Sequence, residues 1–386
     1  MKVAFFSNFL NHHQLPMCKE FISQGVDFTF VATESIPFER LNMGYEDMNA
    51  YPFVLRAYES KENEEKAFEI ATTYDLVIIG SAPLSYINAR MNKNLITFRF
   101  CERPLKKGAW RRFIPPVWKK LSNEYIKHKN KNLFILGASA YTKKDLVFCG
   151  FNGKKCFNWG YFPEVKKYDD INAVINSKDK NSLLWVARFL KLKHPEAPIK
   201  TAKWLKDDGY SFVLNMIGTG EEQDRAKMLV KKYGLEDCVK FLDSMSPEEV
   251  RLHMENSQIF MFTSDRNEGW GAVMNEAMNS GCAVVANDQI GSVPYLVKDG
   301  INGFSYKNGV VKELYRKVKS LLDDKELTAS FGRTAYDTLN GVWNAHTAVK
   351  GLLKAFAVIK EGIDNGDDYN TVTYQKLDEI KKDWLN

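Results

Sequence analysis

Residues 259–286 run Ile259-Phe260-Met261-Phe262, then Thr263-Ser264-Asp265-Arg266-Asn267, then Glu268-Gly269-Trp270-Gly271, and from Ala272 through Ser280 to Gly281-Cys282 and Ala283-Val284-Val285-Ala286. Four apolar residues in a row make a strand with no polar face, as in a parallel sheet covered by helices on both sides. A short polar loop follows. The next run, through Glu276, Ala277 and Met278, has helical spacing and ends at Gly281, and Ala283–Ala286 is again apolar throughout. Strand, loop, helix and strand in that order predict a βαβ unit.

The same pattern recurs outward from this stretch. Strand-length apolar runs lie near Leu183–Ala187, Phe212–Ile217 and Val239–Leu242 in the second half, and near Val3–Phe6, Phe28–Val31, Leu76–Ile79, Leu95–Phe98 and Leu133–Leu136 in the first. Longer stretches of helical period separate them. This predicts an α/β chain with two parallel sheets in series. Between about Glu164 and Asn181 the sequence turns polar and charged, which suits an inter-domain connection. Past Ala345 comes one apolar-faced helix, then an acidic bend at Gly366-Asp367-Asp368 and an amphipathic segment, Tyr374–Leu385.

The chain has 386 residues, of which 45% are hydrophobic and 26% charged. This is the composition of an ordinary globular protein of two domains, and it excludes disordered, collagen-like and disulfide-scaffold classes. Six cysteines contain no C-x-x-C pair and the six histidines do not fall at zinc-ligand spacing near them, so free thiols are expected. The apolar run after Met1-Lys2 is too short for a signal peptide, and no run reaches the ~18 residues of a membrane span. A cytoplasmic location, with attachment to the membrane surface as a peripheral protein, is the expectation.

Net charge is +6, unevenly spread. Residues 1–180 hold 27 Lys and Arg against 19 Asp and Glu, whereas the remaining 206 hold 27 against 29. Between Arg99 and Lys131 lie 11 basic residues and only two acids, Glu102 and Glu124. That stretch includes Arg103, Lys106, Lys107, Trp110, Arg111, Arg112 and Trp118. Interleaved cations and aromatics suit nucleic acid or an anionic membrane; no nucleic-acid module accompanies them, so contact with a membrane or lipid phosphate is the reading preferred over a solvated face.

Glu268 and Glu276 stand eight residues apart and bracket a Gly-rich helix start. Gly269 and Gly271 allow close backbone approach, and the free N–H groups there favour an anion. Glu268 faces hydroxyls before that anion and Glu276 meets those beyond it. Two glutamates with Gly-x-Gly after the first, then a small-residue helix and Gly281-x-x-Val-Val-Ala, resemble the donor-site motif of the family 4 retaining glycosyltransferases of the GT-B fold. The resemblance continues through Gly291-Ser292-Val293-Pro294 and Asp299-Gly300-Ile301-Asn302-Gly303.

From here the resemblance carries the implications. It implies two Rossmann-like parallel-sheet domains facing across a cleft: 1–165 on the acceptor side, 166–180 as linker, 181–345 on the nucleotide-sugar donor side, and C-terminal helices over 346–386 returning to the first domain. It implies that Arg188, ending Val186-Ala187-Arg188, and Lys193 neutralise the diphosphate, with Lys191 a competing cation. His194 stands where the family has glycine. Gly218-Thr219-Gly220 is implied to line the nucleotide, and the loop Asp243–Ser246 to face its base. Gly269, Trp270, Gly271, Ala272 and Glu276 complete the implied donor set, with Glu268 catalytic. In the first domain the polar loop Ser7–Gln14 resembles polysaccharide-assembly members; His12 or His13 there either serves catalysis, by holding an acceptor hydroxyl or the donor sugar, or caps a helix.

The implied activity is transfer of a hexosyl unit from a UDP- or GDP-linked sugar to a glycan or lipid-linked acceptor, with retention and without metal or cofactor. No Asp-x-Asp triplet occurs in the chain. The alternatives are a nucleotide-sugar epimerase of the same fold and a non-catalytic binder of nucleotide sugars or anionic membranes.

Overall fold

A computed structural model of the chain describes residues 1–38, 41, 46–364, 377, 378 and 381. The bend at Gly366-Asp367-Asp368 and most of the segment Tyr374–Leu385 lie outside the described residues. The chain divides into two compact units, Met1–Glu164 with Asn344–Asn386, and Val165–Trp343.

The first unit contains a seven-stranded sheet: β1 (Lys2–Ser7), β2 (Asp27–Ala32), β3 (Val54–Arg56), β4 (Leu76–Ile79), β5 (Thr97–Cys101), β6 (Leu133–Gly137) and β7 (Cys156–Asn158). Their spatial order is β3-β2-β1-β4-β5-β6-β7, and every pairing is parallel. Val3 pairs with Phe28 on one side and Leu76 on the other. Val3 to Phe6 and Leu76 to Ile79 are fully buried because helices cover both faces. The helix Ala345–Asp364 packs on Leu15–Ser23, and His346 meets Glu20 at 2.8 Å.

The second unit repeats the plan with β8 (Ser182–Val186), β9 (Val213–Ile217), β10 (Val239–Leu242), β11 (Ile259–Phe262), β12 (Ala283–Asn287) and β13 (Phe304–Tyr306), ordered β10-β9-β8-β11-β12-β13 and all parallel. In both sheets the strand order reverses direction once, between β1 and β4 and between β8 and β11. In doubly wound sheets the crevice at such a reversal, outside the carboxyl ends of the strands, is where ligands bind.

Three departures from the sequence reading have simple causes. β3, β7 and β13 are three-residue strands at or near the sheet edges, too short for an apolar run to announce. The strand read at Leu95–Phe98 is β5, shifted to Thr97–Cys101, because Leu95 closes the preceding helix turn by donating its N–H to the Arg90 carbonyl. Residues 166–180, read as a linker, contain the helix Ile171–Ser177 and belong to the second unit. Lys178 anchors them there: its buried ammonium donates to the carbonyls of Met254 (2.8 Å), Glu255 (3.0 Å) and Ser280 (2.8 Å).

Candidate functional site

At the β8/β11 reversal two loops lie side by side. The loop after β8 carries Arg188, exposed, then the turn Lys191–Lys193 and His194. The loop after β11 carries Asp265 to Gly271. Thr263 ties them: its hydroxyl donates to the Lys193 carbonyl at 2.7 Å and accepts from the Trp185 indole at 2.8 Å, while the Asp265 N–H donates to the Leu192 carbonyl at 2.9 Å. This strapping brings the Lys193 ammonium onto the Glu268 carboxylate as an ion pair. Arg188 has no ion pair among the described residues. The competing cation Lys191 is exposed at the start of its turn.

Gly218 and Gly220 follow β9 in left-handed backbone, at φ 130° and 151°. A Cβ on Gly218 would overlap the Ala187 carbonyl oxygen, and one on Gly220 that of Phe189. These glycines therefore let the β9 turn press against the loop that carries Arg188. The neighbouring Thr219 hydroxyl lies 3.0 Å from that of Ser244, which joins the turn to the loop Asp243–Ser246.

Gly271 adopts φ 84°, and a Cβ there would run into the Phe262 ring. Ala272 begins a seven-residue helix, Val273–Asn279, without a side-chain cap. Glu276 sits on this helix, partly buried, with no side-chain hydrogen-bond partner among the described residues. Burial pushes its carboxyl up to about 7, against the pull of Arg251. A desolvated carboxylate of this kind gains from any hydroxyl donor brought to it. The Trp270 ring is 1% exposed, donates to Asn275 Oδ1 at 2.9 Å and stacks on Trp343 at 5.3 Å, which leaves its backbone as the part that can face the loop. It is a core residue of its domain.

The model of the family Glycosyl transferases group 1 matches residues 167–338, nearly all of this unit. Over those residues the chain is similar to that family. An uncharacterized glycosyltransferase of Methanocaldococcus jannaschii is 28% identical to this chain over 198 residues, 50% of each protein. The amylovoran biosynthesis glycosyltransferase AmsK of Erwinia amylovora is 28% identical over 137 residues, 34% of this chain and 33% of that one. The chain thus spans about half the length, or less, of these curated relatives. HepE of Anabaena, solved in complex with UDP, superposes with a TM-score of 0.68 at 17% identity, covering 92% of this chain and 100% of that one. The likeness establishes the GT-B fold for both Rossmann-like domains.

The first domain has its own polar loop at the β1/β4 reversal. His12 and His13 have ring centroids 3.7 Å apart, and the His13 ring stacks on Tyr161 at 5.4 Å. The Tyr161 hydroxyl donates to Glu102 Oε1 at 2.9 Å, and Lys106 reaches the other oxygen at 3.1 Å. Gln14 occupies the N-cap position of the helix Leu15–Ser23 without a side-chain cap bond, its amide donating instead to Ser7 Oγ at 3.4 Å. Tyr161 and Glu102 were missed as members of this cluster, since they stand 59 residues apart with no motif linking them.

The basic stretch divides in two. Arg103 is held in an ion pair with Asp145 at 3.0 Å, its side chain 12% exposed, and lies over the Tyr141 ring. Arg99 is buried against Glu124, and Lys131 donates to the Met91 carbonyl. Arg112 lies over the rings of Phe113, Trp118 and Phe148. Around it Trp110 and Phe113 are 62% and 72% exposed, and Trp118, Val147 and Phe148 are exposed as well. Lys107, Lys119, Lys120, Lys143 and Lys144 are exposed, and Arg111 is partly so. Val147 and Phe148 come from a helix that the charge count did not include. Among the described residues no group of three or more His, Cys, Asp or Glu could hold a metal ion, and no helix is long and apolar enough to cross a membrane.

Proposed function

We propose that the protein transfers a sugar from a nucleotide-sugar donor to a glycan or lipid-linked acceptor, with retention of configuration and without metal. The observation that carries this reading is the β8/β11 reversal, where a loop bearing Arg188 and Lys193 lies against a loop bearing Glu268, with Glu276 on the helix that follows. As the bond from the anomeric carbon to the diphosphate oxygen breaks, negative charge grows on the diphosphate. Arg188, Lys193 and the Gly271 and Ala272 amides supply positive charge and donors to meet it. Glu276 accepts the ribose hydroxyls and Glu268 the hydroxyls of the transferred sugar. UDP bound to HepE and the polysaccharide named for AmsK support a nucleotide donor and a glycan product.

The acceptor belongs with the first domain, near His12 and His13. The exposed aromatics around Arg112, ringed by lysines, favour attachment to an anionic membrane surface on the cytoplasmic side. The test is a screen of UDP- and GDP-linked sugars for protection against thermal unfolding in the presence of EDTA, followed by detection of released nucleoside diphosphate. A donor that raises the melting temperature and loses its sugar supports transfer. A converted nucleotide sugar with no release of nucleoside diphosphate means epimerisation, and no protection by any of them refutes the reading.

A further inference from the structure

His194 is in the left-handed region, at φ 49° and ψ 57°, where an L-residue other than glycine is disfavoured. What the position gains is a bridge. Its Nδ1 lies 2.9 Å from Glu196 Oε1 and its Nε2 lies 3.3 Å from Asp265 Oδ2. Glu196 opens the helix Glu196–Asp207, directly after the loop that carries Arg188 and Lys193. Asp265 heads the loop that carries Glu268: its other carboxylate oxygen accepts from the Asn267 N–H at 2.8 Å, and its carbonyl accepts from the Glu268 N–H at 3.0 Å. One imidazole therefore clasps both loops of the reversal.

The chemistry of the partners fixes the protonation state. Ionised carboxylates only accept hydrogen bonds, and a neutral imidazole has a single N–H, so both contacts are made together only by the imidazolium. We propose that His194, as an imidazolium, is a positioning residue of the donor site, holding the Lys193 loop against the Glu268 loop, so that affinity for a nucleoside diphosphate depends on its proton. This rests on the reading of the β8/β11 reversal as the donor site.

The charged groups around the ring are Glu196 on the following helix, Asp265 on the opposite loop, and Lys193 on its own loop, whose ammonium is engaged by Glu268. Lys200, one turn along the helix, acts on Glu196. The hydrogen bond to Glu196 raises the proton affinity of the ring, and burial opposes it without winning. When the ring loses its proton at higher pH, one nitrogen turns a lone pair toward a carboxylate, and the clasp opens.

Two measurements on the full chain test this. In an imidazole NMR titration, with the signal assigned by its loss in His194→Asn, His194 should titrate above the ordinary 6.5 and carry protons on both nitrogens at pH 6. Calorimetric binding of UDP and GDP should be compared at pH 6.0 and pH 8.5 for wild type, His194→Asn and His194→Gly. Asparagine tolerates the left-handed backbone and glycine is free there, so both variants should fold. Wild type should bind the better nucleotide about tenfold more tightly than either variant at pH 6.0, a coupling of usual size, and within about twofold of them at pH 8.5. A wild-type advantage equal at the two pH values, or a His194 titrating at or below 6.5, overturns the proposal. If wild type binds neither nucleotide, the donor-site reading has failed; a high-titrating His194 in that protein still upholds the clasp between the loops.

Discussion

The ammonium of Lys193 and the carboxylate of Glu268 form an ion pair between residues 75 positions apart in sequence, with both side chains 15% exposed. The cation proposed for the diphosphate is thereby held by the carboxylate proposed for the sugar. A diphosphate that takes Lys193 competes with Glu268 and frees its oxygens for hydroxyl donors. Lys193→Ala should weaken nucleoside diphosphate binding by about 1.5–3 kcal/mol, the scale of a charged hydrogen bond. Glu268→Gln should leave that affinity unchanged or slightly higher while turnover falls by roughly 100-fold. Calorimetry and product release separate the two effects, and the double variant should show clear non-additivity, as residues in contact do.

Glu276 couples function to stability. Its folded value of about 7 lies above the ordinary 4.5, so the folded chain keeps a proton that the unfolded chain has lost. Stability therefore falls as pH rises from about 4.5 to about 7 and levels off above, by at most roughly 3 kcal/mol. Glu276→Gln should raise the melting temperature by several degrees at pH 8, change it little at pH 4.5, and weaken nucleotide binding. A melting temperature unaltered at pH 8 would show that the buried carboxyl carries no such penalty.

The close approach at Gly218 can be graded against an open glycine. Gly209 has φ 83° with nothing within 4 Å of an added Cβ, whereas at Gly218 the Cβ meets the Ala187 carbonyl. Gly209→Ala should cost about 1 kcal/mol in urea unfolding, from backbone conformation alone. Gly218→Ala should cost about 3 kcal/mol or more, because the loop bearing Arg188 must move. Equal costs at the two positions would remove the packing explanation.

Attachment to an anionic surface should centre on Arg112 and its aromatic neighbours. Each basic residue near such a surface contributes ~1 kcal/mol, fading within a Debye length. Binding to phosphatidylglycerol vesicles should fall steeply from low to physiological salt. It should drop when Lys107, Arg111, Lys119 and Lys120 become Ser, and again with Trp110→Ser and Phe113→Ser. Arg103→Lys should leave it unchanged, since Arg103 is engaged by Asp145. Equal binding to neutral vesicles would contradict the electrostatic part.

The sheets were legible wherever a strand is central, because a strand covered on both faces must be apolar at every position. Edge strands such as β3 and β13 lack that constraint. Glu268 and Glu276 stood out by their spacing about a helix start, and Arg188 and Lys193 by the family resemblance; the fold sets all four on the loops and helix at the β8/β11 reversal. The burial of the Trp270 ring was not legible, because the same sequence position can offer a backbone amide to a ligand and a ring to the core. The pairing of Arg103 was not legible because a charge count is blind to Asp145, brought to it by the fold from 42 residues away. His194 was visible as a departure from the family pattern, but its partner Asp265 lies 71 residues on.

The measurement closest to the central claim is hydrogen exchange of the full chain, in EDTA, with and without saturating UDP or GDP. The expected result is slowed exchange confined to residues 187–194, 218–222 and 263–276, abolished in Lys193→Ala combined with Glu276→Ala. No change with either nucleotide, or protection confined to residues 1–164, would contradict a donor site at the β8/β11 reversal.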